Sequence, residues 1–191
     1  MTIKELLTRS RSYRRFRQNK TVPESVLEEL LQLALLSPSG GNHQPLAYFV
    51  SANENTNNII FPFLAWAGYL KDWPGPVPGE QPAAYIVICC DTSIQNSPGV
   101  DHGIAAQSIL IGAAEKGIGG CMIGSFKKND LRTALGIPER YAPLLVLALG
   151  YPAEEVILTS PGPDGSVKYY RDAEGRHHVP KRKLADCIIR I

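Results

Sequence analysis

A chain of 191 residues, 44% hydrophobic and 20% charged, is long enough to bury a substantial core and fits one domain. Its formal net charge of +2 excludes a global field drawing it onto nucleic acid or an anionic membrane, so any anion site has to be a local cluster. No apolar run approaches the ~20 residues that span a bilayer, and Met1-Thr2-Ile3-Lys4-Glu5 does not open a signal peptide, so a cytoplasmic location is expected.

The first predicted element is a short helix from about Ile3 to Thr8, leading into the basic segment Arg9 to Phe16. Thr21-x-x-Glu24 reads as a capping box with Pro23 near the first helical position. Val26, Leu27, Leu30, Leu31 and Ala34 follow at helical spacing, and the helix ends at Ser37-Pro38. Leu46 to Ser51 predicts a strand. Asn53 to Pro82 holds Phe61, Phe63, Trp66, Tyr69 and Trp73, then a Pro- and Gly-rich loop from Pro74 to Gly79. Ala83 to Cys90 is a continuous β-rich apolar run, hence a central strand. Asp101 to Lys116 is apolar nearly all round, which predicts a buried helix. Gly117 to Gly120 breaks it, and a strand is predicted from Cys121 to Phe126.

Asp130 to Leu135 predicts a short helix and Leu144 to Gly150 another buried strand. Lys168 to Asp172 and Arg176 to Val179 flank Ala173-Glu174-Gly175 as a hairpin. The basic run Lys181-Arg182-Lys183 precedes an apolar end, Leu184 to Ile191. The pattern is one α+β domain over residues 1–191 with a mixed central sheet. Cys89, Cys90, Cys121 and Cys187 form no CxxC pair and are expected as reduced thiols. His177-His178, with His43 and His102 elsewhere, have no carboxylate or thiolate at ligand spacing, so solvated hairpin positions are expected rather than a metal site.

Four segments carry chemistry. Arg11-Ser12-Tyr13-Arg14 puts two guanidinium groups and hydroxyls within four residues, and such donor forks suit a phosphate. A solvated basic face is the equally weighted alternative. Ser37 to Pro45 has more glycine and proline than a plain turn needs. Gly40 and Gly41 permit close backbone approach to a ligand, and Asn42 and Gln44 each offer donor and acceptor. Gly117 to Phe126 is glycine-rich, but it follows a helix and enters a strand, the reverse of a Rossmann fingerprint. Lys181 to Lys183 reads as a second anion contact or a solvated tail.

In order along the chain, these segments resemble the nitroreductase family of FMN enzymes. The resemblance rests on Arg11-Ser12-Tyr13-Arg14-Arg15-Phe16, on Ser37 to Pro45, on Asp101 to Leu110 and on Ile123-Gly124-Ser125-Phe126. It continues through Leu135 to Glu139 and Leu147 to Pro152, and closes on Lys181-Arg182-Lys183, which in the family precedes a terminal strand. The resemblance implies an α+β fold with a mixed central sheet flanked by helices, stable as an intertwined homodimer with FMN at the interface. A hairpin and C-terminal extension, residues 166–191, would embrace the partner subunit.

By the same resemblance Arg11, Ser12 and Arg182 hold the FMN phosphate, and Arg14 lies near flavin N1 and O2. Pro38, Ser39 and Gly40 come from the partner with Asn42 and Gln44 nearby, while Met122, Ile123, Gly124 and Ser125 face the other side. Asp101 is brought towards the ring without a role. A fixed cation beside N1 and O2 favours hydride acceptance by the flavin, so no acid–base side chain is nominated. The implied activity is ping-pong transfer from NADH or NADPH through FMN to a small organic acceptor, nitroaromatic or quinone-like. The alternative is a flavin-binding carrier or redox sensor without turnover. Dehalogenation or oxidative chemistry would need lids or fused domains not found here, and a nucleic-acid binder would leave Ser37 to Pro45 unexplained. Residues 61–79 and the hairpin tip at Ala173 to Gly175 are the candidates for a substrate lid.

Overall fold

The computed structural model describes residues 1–190. Helix α1 spans Ile3–Arg9, and the Thr2 hydroxyl and Glu5 carboxylate cap each other's backbone N–H groups at 3.3 and 2.7 Å. The predicted box at Thr21 and Glu24 is not formed. Helix α2, Glu24–Leu35, has Pro23 as its flanking residue and no side-chain cap. The fixed φ of Pro23 (−61°) already presets the helix entry, and Val22 is buried just before it, leaving Thr21 outside the cap position.

Strand β1 is Leu46–Ser51 and helix α3 is Glu54–Ile60, capped by the Asn53 side chain on Thr56 N–H. Strand β2 is Ala84–Asp91, helix α4 Asp101–Glu115, strand β3 Gly119–Ile123, helix α5 Lys128–Ala134 and strand β4 Tyr141–Gly150. The four strands form one sheet in the order β1-β2-β4-β3, with every named pair antiparallel. A parallel bridge between Ser12 and Gly120 on the β3 side gives the sheet its mixed character.

Strand β2 is buried along its whole length because the sheet is covered on both faces. Ala84, Ile86 and Ile88 pack with Leu147 and Leu149 against Leu27, Leu30, Ala106 and Ile109 of α2 and α4. Tyr85, Val87 and Cys89 pack with Val146 and Ala148 against Ile60 of α3, Leu64 and Leu131 of α5. Period two thus sorts the strand between two cores, and doubly covered strands read as continuous apolar runs. Opposite Cys89 the register of β4 slips by one residue at Pro143, so a residue without an N–H is absorbed at a bulge.

A second sheet, β5-β7-β6, carries the tail: β5 is Val156–Thr159, β6 Tyr170–Arg171 and β7 His177–Pro180. Strand β7 pairs parallel with β5 and antiparallel with β6. The hairpin forms as expected from its flanking runs. Strand β5 was not foreseen, since four residues pairing some twenty positions downstream leave no local turn signal. Beyond it lies a single turn of 3₁₀ helix, Leu184–Cys187, with Leu184, Ile188 and Ile189 exposed. The terminal strand expected by resemblance is not present among the described residues. No helix of those residues is long and apolar enough to cross a membrane.

Candidate active site

The segment after α1 lies flat on the edge of the sheet. Tyr13 N–H donates to the Gly120 carbonyl at 3.0 Å. Glycine is required beneath it: a Cβ on Gly119 would sit 2.6 Å from Tyr13 Cδ2 and 2.8 Å from Pro152 Cγ. The sequence pattern of residues 117–120 reads as a break, but Gly119 and Gly120 are in-strand residues of β3, Gly119 giving room to Tyr13 and Pro152 and Gly120 to Leu110 and Leu149.

Glu154 organises the next turn from a nearly sealed position, its side chain 1% exposed. It accepts the backbone N–H of Arg14 at 2.5 Å and of Arg15 at 3.1 Å, and its other oxygen pairs with Arg171 at 2.9 Å. Arg15 leaves in the other direction and pairs with Glu80, an ion pair that raises the arginine's pKa and lowers the carboxylate's. Arg11 and Arg14 remain on the open side.

They line a cleft of about 300 Å³ together with Ser12, Gln107, Met122, Tyr169, His177 and Lys181. Three cations face this space, and among the described residues no carboxylate lines it. Arg11 Nη2 donates to the Leu7 carbonyl at 2.5 Å, while its Nε is buried without a partner among the described residues. Burial lowers the Arg11 pKa, as expected for a charge short of compensation. The guanidinium of Arg14 lies 4.8 Å from the centre of the Tyr169 ring, with Nη1 3.1 Å from His177 Nε2 and 3.2 Å from the Ser12 carbonyl. His177 is 1% exposed, and burial, then Arg14 and Arg171, push its pKa down to about 4.

A second constellation lies at the start of α4. Asp101 is buried and accepts the Ser39 hydroxyl at 2.6 Å and the Gly40 N–H at 3.0 Å. Ser39 Oγ in turn accepts Gln44 N–H at 2.9 Å. These bonds hold a turn in which Gly41, Asn42 and Gln44 all have positive φ, at 56°, 55° and 51°. Asp101 therefore acts through the loop, as its anchor.

The sequence profile described as the Nitroreductase family matches residues 7–72 and 91–151. A protein of Methanothermobacter thermautotrophicus, named for NADH dehydrogenase or NAD(P)H nitroreductase activity, is 31% identical over 161 residues, covering 81% of this chain and 79% of the relative. The chain belongs to the nitroreductase family. Solved structures carry the fold match. One from Streptococcus pneumoniae, described as a nitroreductase family protein, has a TM-score of 0.68 at 18% identity, covering 85% of this chain and 96% of that one. Another, from Exiguobacterium sibiricum and solved in complex with FMN, has a TM-score of 0.67 at 19% identity over 81% and 90% of the two chains.

Within this nitroreductase-family chain the sequence-predicted residues fall into separate groups. Arg11, Ser12, Arg14 and Met122 share the cleft. Pro38, Ser39 and Gln44 border a different, smaller hollow with Asp101 and Tyr48, and Gly40 and Asn42 belong to the same turn. The side chain of Ile123 is packed in the core, while Gly124 and Ser125 are exposed and Ser125 O accepts Ala65 N–H. Arg182 is exposed and bonds the Asp186 carbonyl, so the tail residue that lines the cleft is Lys181.

Gln107, Tyr169 and Glu154 are not among the residues the sequence singles out, and His177 is weighed there only as a metal ligand. Gln107 lies in the Asp101 to Leu110 motif, which is a usable signal. The solvated positions expected for the two histidines are both wrong: β7 turns the His177 imidazole inward, and His178, bonded to Asp172 at 2.8 Å and stacked on Tyr170, has its side chain only 14% exposed. Among the described residues no group of three His, Cys, Asp or Glu side chains could hold a metal.

Proposed function

We propose that this chain is an FMN-dependent oxidoreductase of nitroreductase type, carrying reducing equivalents from NADH or NADPH to a small organic acceptor in ping-pong order. The observation that carries the reading is the cleft itself, where Arg11, Arg14 and Lys181 converge and no carboxylate of the described residues joins them. Cations gathered without a carboxylate favour an anion, and phosphate oxygens match the donor fork of a guanidinium.

In this reading Arg11 and Ser12 grip the phosphate from one side, with Lys181 and Arg182 of the tail closing from the other. Arg14 keeps a positive charge at the pyrimidine end. Met122, Ile123, Gly124 and Ser125 give the wall provided by β3 and the turn after it. FMN, when bound, supplies the hydride-accepting and electron-donating chemistry that no side chain here has. Pro38, Ser39, Gly40, Asn42 and Gln44 serve the partner subunit's cofactor, which accounts for their separation from the cleft within one chain.

A homodimer is part of the proposal. The outer edge of β1 has no strand partner among the described residues, and Leu35, Leu36, Leu184, Ile188 and Ile189 are exposed. Residues 166–191 would reach across to the partner within a single domain of residues 1–191. The location would be cytoplasmic. The names of relatives support donor and cofactor: besides the methanogen protein, one from Vibrio harveyi is named NADPH-flavin oxidoreductase, 26% identical over 165 residues.

The test is a visible spectrum of freshly purified protein, followed by anaerobic NADH or NADPH. Flavin bands that bleach with either donor are expected. Bands that persist point to a carrier or sensor, and colourless protein that ignores added FMN overturns the proposal.

A further inference from the structure

We propose that His177 is a positioning residue for Arg14: the tail hairpin fixes the guanidinium in the cleft through His177 and Tyr169 and thereby sets the redox potential of the bound flavin. The inference rests on the proposed function for what Arg14 faces. It extends that reading to residues of the tail.

Arg14 can only donate, so the short contact between its Nη1 and His177 Nε2 at 3.1 Å requires the imidazole nitrogen to accept. The ring is then neutral and carries its proton on Nδ1. That nitrogen is buried and has no hydrogen-bond partner among the described residues. An isolated buried N–H destabilises the fold, and a phenyl ring of similar size would avoid it. The polar residue thus stands where an acceptor for Arg14 is needed.

The guanidinium makes two further contacts with this chain, and the hydrogen bond among them uses the same Nη1. Tyr169 offers its ring face at 4.8 Å and Ser12 its carbonyl at 3.2 Å. Tyr169 is held against His177 at 5.2 Å between ring centres and against Tyr69 at 4.9 Å, and its hydroxyl accepts Tyr69 N–H at 3.2 Å. Glu154 pins the Arg14 backbone. Charged groups around His177 are Arg14 and Arg171, with His178 adjacent, and all three oppose its protonation. Arg14 is therefore clamped by a neutral partner that leaves its whole charge available to the cleft.

Releasing the clamp lets the guanidinium drift. At an effective dielectric near 20, moving a unit charge from about 4 to about 6 Å weakens its interaction by about tenfold in equilibrium terms. For a two-electron couple tenfold is about 30 mV.

The experiment measures the midpoint potential of bound FMN by spectroelectrochemistry in wild type, His177→Phe, His177→Gln, Arg14→Ala and the His177→Phe/Arg14→Ala double variant. His177→Phe is expected to lower the preference for reduced flavin about tenfold, with no further loss in the Arg14→Ala background. His177→Gln, whose amide oxygen still accepts, should recover most of it, and His178→Gln should stay at wild type. A wild-type potential for His177→Phe, or additive losses in the double variant, overturns the proposal. If His177→Phe does not fold, His177→Asn takes its place, its shorter amide falling out of reach of Arg14; equal potentials for Asn and Gln overturn the proposal. Denaturant unfolding of the same set reads the contact without flavin. Additive stability losses there refute the clamp, whereas coupled losses in protein that binds no FMN refute the proposed function and the redox role while the contact stands.

Discussion

Replacing Glu154 by alanine is the sharpest perturbation of the scaffold under the cleft. Its carboxylate satisfies the N–H groups of Arg14 and Arg15 and pairs with Arg171, whose side chain is 16% exposed. The variant strands a largely buried guanidinium and two backbone donors in one step. Breaking a buried ion pair from one side costs about 3–5 kcal/mol. Each unsatisfied donor adds about 1–3 kcal/mol when taken alone, but the three effects share one cavity and do not sum. A net loss of about 3–5 kcal/mol corresponds to a fall in Tm of roughly 6–20 °C for a chain of this length.

Glu154→Gln should fall between the variants, because an amide oxygen can still accept from the backbone while the ion pair is lost. The assay is a thermal melt by circular dichroism at fixed protein and FMN concentration, since bound ligand shifts the apparent stability. Retention of FMN through desalting should fall in parallel, because Arg14 loses its backbone anchor. A Glu154→Ala melt within about 2 °C of wild type, less than 1 kcal/mol on that scale, would refute the argument that this carboxylate supports the cleft.

Gly119→Ala should cost about 1–3 kcal/mol in denaturant unfolding and weaken FMN retention, because the new methyl meets the rings of Tyr13 and Pro152 and lifts the segment that carries Arg11 to Arg14. A thiol reagent added to native protein should leave Cys89, Cys90 and Cys121 unmodified until the chain unfolds. Cys89, Cys90 and Cys121 are buried, and burial pushes the Cys89 thiol up to about 12. Mass spectrometry showing early labelling of Cys89 or Cys121 would contradict the packing. His177 titrates at about 4 in the fold against an ordinary 6.5, so the unfolded chain takes up its proton first and stability falls as pH drops from about 6.5 towards 4. The stability difference between His177→Gln and wild type should therefore shift in favour of the variant over that window, by at most about 3 kcal/mol. A difference that stays flat from pH 7 to pH 4 would show that the imidazole is not held neutral.

Much of the fold was legible because its strongest elements are locally specified. The apolar runs that became β2 and α4 need no partner to be recognised, since each is apolar nearly throughout. The capping box was misplaced from Thr2 to Thr21 because the same residue pattern occurs at both, and only chain entry past buried Val22 and Pro23 excludes the second. Strand β5 escaped because its pairing partner lies beyond a long connection.

By itself, the sequence determined the family, the α+β class and the segments that carry chemistry, since these depend on residue identity and spacing along the chain. Only the tertiary structure decided which of those residues meet. It brought Arg14 under Tyr169 and onto His177, 163 positions away. It gave Asp101 to the Ser39 loop, and it set two adjacent histidines on opposite faces of β7, His177 against Arg14 and His178 against Asp172. The placement of Arg14 and of the two histidines follows from how the second sheet docks on the first. Pairing between distant strands sets which face of β7 is buried, and no local pattern in His177-His178 encodes that choice.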